Sequence, residues 1–259
     1  MKQTKDSLKQ IFNDTKRACE VYITSNSPTK KFDVSIIKAP TDFIEPSIIV
    51  LNSDSVSAGN IYSKKGRTCI LNMASEKKAG GGVESGEKAQ EESLFRCSNL
   101  FSTITQDYYP LEGEVALYTK NAIFIKDFNY NYIPWFKSDV VTVASVNLNG
   151  NAKYDEKTDT WIEGLTPKPD DYYETMCNRI RLMCTLAAKR KVKYLILGAW
   201  GCGVFKNDPN EVADIFYDVL VIEKYQHLFD QVIFAIINDE NSVGDNFDIF
   251  DDVFKVDNL

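Results

Sequence analysis

One stretch constrains the fold of this chain more than any other: residues 70–100, ILNMASEKKAGGGVESGEKAQEESLFRCSNL. An apolar run ending at Ala74 predicts a buried strand, and three consecutive glycines lead from it to a helix that opens on Gln90-Glu91-Glu92. Glycine lets the backbone approach a ligand where a Cβ atom would clash, and the free N–H groups of a helix start favour an anion. Two carboxylates at the same place would repel that anion, which suggests that one of them performs chemistry on the ligand.

Apolar β-type runs alternate with amphipathic helical patterns along most of the chain. This alternation indicates a three-layer α/β/α fold with a mixed, largely parallel sheet. Strands are predicted at 47–52, 68–74, 121–127, 139–146, 194–198 and 232–237. Helices are predicted at 5–20, 89–100, 172–191 and 247–254, and another follows the capping signature Asp208-Pro209-Asn210-Glu211. Residues 25–46 and 147–169 are predicted to be polar connections, and Asp54-Ser55 a turn.

The chain is predicted to form one domain spanning residues 1–259, with residues 1–46 as an N-terminal helix and connection packed on it. No internal repeat or low-complexity linker divides the sequence. It contains no run of about 18 apolar residues that would span a membrane, and its charged first residues do not resemble a secretory signal. The six cysteines include no CxxC pair, which is typical of free thiols in a reducing compartment. A cytoplasmic or nuclear location is therefore expected.

The single histidine and the net charge of −7 exclude several classes of function. Ser-His-Asp and Cys-His catalysis both need a histidine beside a nucleophile. His227 lies far from any glycine turn and is interpreted as a surface or helix-end residue. Neither a metal site nor a cofactor is predicted. Because gripping a polyanion along its length requires a basic face, no extended nucleic-acid surface is expected, and a nucleotide-like polymer would be held by one unit or end in a pocket.

Two glycine-rich loops follow predicted core strands, at residues 80–82 and 198–203. In α/β folds ligands bind at the carboxyl ends of strands, so two such loops favour a phosphate-binding cleft, although each alone could be a plain tight turn. Residues 81–86 have the glycine spacing of a P-loop, but Glu87-Lys88 stands where lysine followed by serine or threonine is required. Gly201-x-Gly203 lacks the third glycine of a dinucleotide fingerprint.

The paired glutamates allow two interpretations. Acidic residues in a first helical turn complement the helix dipole, and most of them do nothing more. Alternatively, one of them performs chemistry. Neighbouring residues of a helix point about a hundred degrees apart, so Glu91 and Glu92 cannot both face one atom. In that case one is the acid/base and the other positions or supports it.

The glycines and the acidic pair together resemble a known family. Gly80-Gly81-Gly82, seven residues, then Gln90-Glu91-Glu92 is similar to the GGG-x(6–8)-QEE signature of poly(ADP-ribose) glycohydrolases. The surroundings narrow the resemblance to the microbial type, whose catalytic domain resembles a macrodomain. The similarity runs through most of the chain and includes LNMAS, QEESLFRCSNLF, VVTVASVNL and LGAWGCGVFKNDPNEVADIF.

The resemblance implies roles for individual side chains. Glu92 matches the catalytic glutamate, Glu91 its neighbour that contacts the ribose being cleaved, and Asn72 the asparagine that binds the distal ribose hydroxyls. Asp54 sits where macrodomains often place the residue that reads the adenine amino group. No metal is implied.

The resemblance also assigns the two loops. Gly80, Gly81 and Gly82 match the loop packed on the ribose and diphosphate, and Gln90 matches the residue that buttresses it. The chain departs from the family pattern at Ala79 and at residues 143–146, where a proline is usual in each case, which bears on affinity more than on activity. The second diphosphate-binding loop is matched by Gly201, Cys202, Gly203, Val204 and Phe205.

The implied activity is hydrolysis of the ribose–ribose O-glycosidic bonds of poly(ADP-ribose), from the chain end, with release of ADP-ribose. Poly(ADP-ribose) or ADP-ribosylated proteins would be the partners. In this hypothesis Glu92 protonates the departing ribose oxygen and then accepts a proton from the attacking water. The helix start lowers the pKa of Glu92, whereas desolvation and the adjacent diphosphate raise it, and the mechanism requires the raising effects to win.

Two alternatives remain open at this point. A non-catalytic ADP-ribose reader would use both glycine loops but would not need the paired glutamates. A mono-ADP-ribosyl hydrolase would use the same site with a different leaving group. Whether internal bonds of a polymer are cut depends on a loop that blocks the far ribose, for which residues 147–169 and 238–246 are the candidates.

Overall fold

The structure, a computed structural model, is built on a seven-stranded sheet with helices on both faces. It describes residues 3–23, 27–36, 47–150, 153–155, 160–162, 166–238 and 245–255. The strands are β1 (Thr29–Asp33), β2 (Ser47–Asn52), β3 (Thr68–Met73), β4 (Val115–Lys126), β5 (Tyr132–Val143), β6 (Lys153–Asp155), β7 (Thr160–Ile162), β8 (Tyr194–Leu197) and β9 (Gln231–Ile236). The helices are α1 (Lys5–Tyr22), α2 (Ser55–Ser63), α3 (Gln90–Cys97), α4 (Tyr172–Lys189), α5 (Pro209–Tyr217) and α6 (Asn246–Lys255).

The large sheet is mixed and largely parallel, as predicted. Its strand order is β1-β4-β5-β3-β8-β9-β2, while β6 and β7 form a separate two-stranded sheet. The strands from β5 to β2 in this order run parallel to their neighbours, and β4 and β1 pair antiparallel at one edge. Parallel strands are buried on both faces, which explains why they read as near-continuous apolar runs in the sequence.

Alternation along the strands divides the core into two layers, because successive side chains point to opposite faces. In β3, Cys69 and Leu71 pack in the core that contains α4, α5 and α6. Ile70, between them, packs in the core on the other face, with side chains of α1, α2 and α3. The predicted three-layer α/β/α architecture is therefore confirmed.

In the first part of the chain, the sequence interpretation missed α2 and β1. The predicted turn at Asp54-Ser55 is the start of α2, and Asp54 caps it: its Oδ1 accepts the N–H groups of Val56 and Ser57, both at 2.8 Å. The sequence shows no clear helical pattern of apolar residues here, because the helix, SVSAGNIYS, consists mainly of small and polar residues. The predicted connection at 25–46 contains β1, an edge strand with exposed polar side chains, and its residues 25–26 and 37–46 lie outside the described part.

The middle of the chain also differs from the prediction. The runs predicted at 121–127 and 139–146 belong to a long antiparallel hairpin, β4–β5. Its strands begin earlier than predicted, because cross-strand pairing also includes residues of 115–120 and 132–138. The predicted connection at 147–169 contains the short β6–β7 pair, and its residues 151–152, 156–159 and 163–165 lie outside the described residues.

Other predictions concern isolated residues and membrane spans. His227 is half-buried in the last turn of a short 3-10 helix, Tyr225–Leu228, in agreement with its interpretation as a helix-end residue. All six cysteines are free and buried. Within the ranges given above, no helix combines the length and apolar character needed to cross a membrane.

Candidate active site

A cleft of ≈ 220 Å³ lies at the carboxyl ends of β3, β8, β9 and β2. It is bordered by the starts of α2, α3 and α6 and by the loop that follows β8. Most of the residues predicted from the sequence line it: Asp54, Gly81, Gln90, Glu91, Glu92, Gly201, Gly203, Val204 and Phe205. Asn72, Gly80, Gly82 and Cys202 are not part of the lining.

The cleft opens where β3 and β8 separate. The two strands pair only as far as Ile70. Beyond that point the side-chain amide of Gln90 takes the place of the missing strand: its Nε2 donates to Leu71 O at 2.7 Å and its Oε1 accepts the Met73 N–H at 3.0 Å. Gln90 also donates to Ser55 Oγ at 3.1 Å. The side chain thus fixes the start of α3 to the end of β3.

Glu91 is held beneath the cleft by neutral donors. Its carboxylate accepts the Ser75 N–H at 2.7 Å and the Asn72 Nδ2–H at 3.2 Å. Burial raises the pKa of Glu91 to about 8, although the Ser75 N–H group acts in the opposite direction. The Tyr109 hydroxyl is buried beside Glu91, and no described residue lies in position to form a hydrogen bond with it. Asn72 is fully buried, and its Oδ1 is also unpaired there.

Glu92 presents one oxygen to the protein and leaves the other unpaired. Its Oε1 accepts the Gly82 N–H at 2.7 Å, whereas its Oε2 is buried without a partner in the described part of the chain. Desolvation raises the pKa of Glu92; the Gly82 N–H and the cation of Arg96 lower it, and Glu87 raises it further. Desolvation wins, which is the direction that a proton donor at this position requires.

The first glycine loop packs against the two carboxylates. Gly81 has φ +55°, and a Cβ atom there would overlap Glu92 Oε1 and come within 3.1 Å of Glu91 Oε2. A Cβ on Gly80 would lie 2.6 Å from the Phe95 ring. The glycines are therefore needed for close packing of the loop on α3, and at Gly82 an N–H group is aimed at a carboxylate. Binding of a diphosphate by this loop stays a prediction.

Arg96, one turn after Glu92, ties this loop to the N-terminal helix. The side chain is fully buried, and its Nη2 donates to Glu87 O at 2.5 Å and, weakly, to Val83 O at 3.5 Å. Its Nε donates to Leu8 O of α1 at 3.3 Å. This cation lies over the Tyr130 ring and forms no ion pair with a described carboxylate. Backbone carbonyls accept from its Nε and Nη2, whereas Nη1 is buried without a partner among the described residues. The side chain couples α1 to the loop that holds Glu92.

The second glycine loop is anchored from behind by Asn207. The side chain is fully buried; its Nδ2 donates to Val146 O at 2.8 Å and to Gly201 O at 3.1 Å, and its Oδ1 accepts the Tyr172 hydroxyl at 2.8 Å. Gly201 has φ +83°, and a Cβ atom there would lie 2.5 Å from Ser145 Oγ. Among the described residues, the successive N–H groups of Gly203, Val204 and Phe205 find no hydrogen-bond acceptor.

Several side chains at the site were not identified from the sequence. Asn207, Arg96 and Tyr109 act through contacts far away in sequence, so no local pattern marks them. Phe128, at the tip of the β4–β5 hairpin, and Asn246, at the start of α6, line the cleft. The only available signal was positional: Asn207 directly precedes the Asp208 cap, within the stretch that matches the family. In the described ranges no cluster of three or more His, Cys, Asp or Glu side chains could hold a metal ion.

Comparison with known proteins connects this geometry to a family. Residues 1–130, half of the 259-residue chain, match the family model described as "Microbial-type PARG, catalytic domain". No curated protein matches the sequence.

Solved structures share the fold. Poly(ADP-ribose) glycohydrolase (PARG) from Thermomonospora curvata is 20% identical with a TM-score of 0.78, and the alignment covers 96% of this chain and 100% of that one. A structure of the same enzyme bound to the inhibitor ADP-HPD gives a TM-score of 0.74 at 20% identity, covering 95% and 98%. PARG from Deinococcus radiodurans in complex with ADP-ribose is 24% identical with a TM-score of 0.71, covering 89% and 95%.

The family match and the fold agree with the signature and with the arrangement of the cleft, and the chain belongs to the family of microbial-type PARG catalytic domains.

Proposed function

We propose that this chain hydrolyses the ribose–ribose O-glycosidic bonds of poly(ADP-ribose) from the chain end, with Glu92 as the general acid/base. The observation that carries the proposal is the unpaired Oε2 of Glu92. This oxygen is buried, and Glu92 lines the cleft. The other oxygen, Oε1, accepts the Gly82 N–H and so fixes the side chain. ADP-ribose is the ligand of the Deinococcus radiodurans structure, which supports an ADP-ribose unit as the occupant of this cleft.

The proposed reaction uses one carboxyl group twice. Protonated Glu92 gives its proton to the ribose oxygen that leaves as the bond to the anomeric carbon breaks. The carboxylate then accepts a proton from the water that attacks the anomeric carbon, which restores the acid. Positive charge at the anomeric carbon is stabilised by the diphosphate of the same substrate unit, held over the N–H groups of the second loop.

Glu91 is proposed to contact the ribose that is cleaved, supported by Asn72. Because burial raises the pKa of Glu91 to about 8, this side chain is protonated at neutral pH and can both donate and accept a hydrogen bond. Asn72 Nδ2 donates to Glu91 Oε1 at 3.2 Å and to Thr142 Oγ1 at 3.3 Å. A contact of Asn72 with the distal ribose hydroxyls would require its unpaired Oδ1 to become accessible, since the side chain is fully buried.

The test separates binding from hydrolysis. Glu92→Gln keeps the Oε1 acceptor for the Gly82 N–H but cannot donate an acidic proton. ADP-ribose affinity, measured by calorimetry, is expected to stay within about threefold, and polymer hydrolysis to fall by at least ~100-fold. Glu84→Gln is the matched control: Glu84 lies on the same loop, is exposed and pairs with Lys16 at the surface, so wild-type rates are expected.

Three results would change the proposal. Wild-type-like turnover by Glu92→Gln would remove Glu92 from the mechanism. ADP-ribose binding without any product from polymer would identify a non-catalytic reader. Faster release of ADP-ribose from mono-modified proteins than from polymer would identify a mono-ADP-ribosyl hydrolase.

A further inference from the structure

The order of strands across the cleft assigns the parts of an ADP-ribose ligand to parts of the sheet; this step rests on the proposed function. The end of β3 carries the acidic pair, the loop after β8 carries the free N–H groups, and β9 and β2 follow. Neighbouring strands are ~4.8 Å apart, so β3 and β2 are separated by about 14 Å. With the ribose at Glu92 and the diphosphate at the second loop, the adenine lies over the ends of β9 and β2.

Asn246 is the unpaired polar side chain at that end. It is the first residue of α6, lines the cleft and is only 4% exposed. Its Oδ1 is buried without a hydrogen-bond partner among the described residues, and its Nδ2 donates to none of them. A buried amide without partners is unfavourable unless something completes its hydrogen bonds.

We propose that Asn246 recognises the adenine base and is a specificity-determining residue of this site. A side-chain amide offers an acceptor and a donor side by side, which matches the 6-amino group of adenine and its neighbouring ring nitrogen. Asp54, predicted from the resemblance to read the amino group, uses Oδ1 to cap α2. Both hydrogen-bonding atoms of Asn246 are free for a ligand, whereas Asp54 can offer only its second oxygen.

The experiment measures affinity for two nucleotides, ADP-ribose and its purine analogue, whose base carries a hydrogen atom in place of the 6-amino group. Asn246→Leu has a similar volume without hydrogen bonds and is expected to weaken ADP-ribose binding about tenfold. Asn246→Asp keeps an acceptor for the 6-amino group but loses the donor to the ring nitrogen, so it is also expected to weaken ADP-ribose binding. Wild type should bind ADP-ribose more tightly than the analogue, whereas Asn246→Leu should bind the two nucleotides about equally.

Two further variants act as controls. Asn52→Leu changes an exposed asparagine at the end of β2 that is not part of the lining, and unchanged affinities are expected. Asp54→Asn keeps the capping oxygen and changes only the second one. Melting temperatures of all variants show that they are folded, and a merely structural role of Asn246 would not alter the ratio of the two affinities.

Two outcomes overturn the inference alone: wild-type affinities in both Asn246 variants, or a ratio of the two affinities that responds to Asp54→Asn and not to Asn246→Leu. In either case wild-type protein still binds ADP-ribose and cleaves polymer. Failure of the wild type to bind ADP-ribose at all overturns the proposed function together with the inference.

Discussion

The two glycine loops are alike in the sequence, but their backbone N–H groups differ in the structure. The loop at 80–82 packs against the acids, with the Gly82 N–H on Glu92 and no room for a Cβ atom at Gly81. The loop at 198–205 is tied from behind by Asn207 and leaves successive N–H groups unpaired. The first loop therefore orients the chemistry, and the second is the one available to an anion. Changes in the first should act on turnover, and changes in the second on affinity.

The largest effect is expected for Gly81→Ala. The new methyl group would overlap the Glu92 carboxylate and displace it, so kcat should fall at least ~100-fold while the Kd for ADP-ribose changes far less. Gly113→Ala is the matched control: Gly113 also has positive φ, +72°, but nothing lies within 4 Å of a Cβ atom there. The control bears only the backbone strain of about 1–2 kcal/mol. Wild-type kcat in Gly81→Ala would break the assignment of the first loop to chemistry.

A smaller effect, of the opposite kind, is expected for Asn207→Leu. Loss of its hydrogen bonds to Val146 O and Gly201 O releases the second loop, so calorimetry should show the Kd for ADP-ribose rising by roughly 30-fold. At saturating polymer, kcat should stay within a few fold of wild type. Tyr172→Phe removes only the bond that Asn207 accepts and should bind nearly as well as wild type. A fall in kcat with unchanged affinity would contradict the division between the loops.

A still smaller effect on activity is expected when the attachment of the start of α3 to β3 is removed. Gln90→Met preserves the size of the side chain but leaves Leu71 O and the Met73 N–H unpaired. We expect kcat/KM to fall about tenfold and the free energy of unfolding to fall by about 1–2 kcal/mol. Denaturant titration and steady-state kinetics measure the two quantities. Unchanged kinetics in a destabilised protein would show that Gln90 supports the fold without positioning the acids.

The last prediction concerns stability, and in particular its dependence on pH. The folded protein holds the Glu91 proton up to a pKa of about 8, against 4.5 for the free side chain. Because the folded state binds this proton more tightly than the unfolded state, Glu91 causes stability to fall as pH rises from about 5 to 8. Glu91→Gln removes this loss and should gain about 3 kcal/mol of stability at pH 8 relative to pH 5. Parallel pH profiles of the melting temperature for wild type and variant would contradict it.

The sequence predicted those elements and site residues that a local pattern of residues marks. The central strands are apolar on both faces, so β3, β8 and β9 were predicted; β1, a polar edge strand, and α2, a helix of small residues, were not. Glu91 and Glu92 were found because the glycine and acid spacing is local. Asn207 and Asn246 depend on contacts across the sheet, and those contacts exist only once the strand order is known.

The hydrogen bonds between α1 and Arg96 have a consequence for removal of the N-terminal helix. Leu8 O accepts from Arg96 Nε, and Thr15 Oγ1 donates to the backbone carbonyl of Arg96 at 2.6 Å, so α1 contacts both the side chain and the backbone of the residue one turn after Glu92. The buried ammonium of Lys126 also depends on α1, through Ile11 O and Thr15 Oγ1. Removing α1 would take the Leu8 O acceptor from Arg96 and the Ile11 O and Thr15 Oγ1 acceptors from Lys126, and would open both side chains to water. A chain shortened after α1 is therefore expected to hold the loop at Glu92 less firmly, although it would keep every residue that lines the cleft.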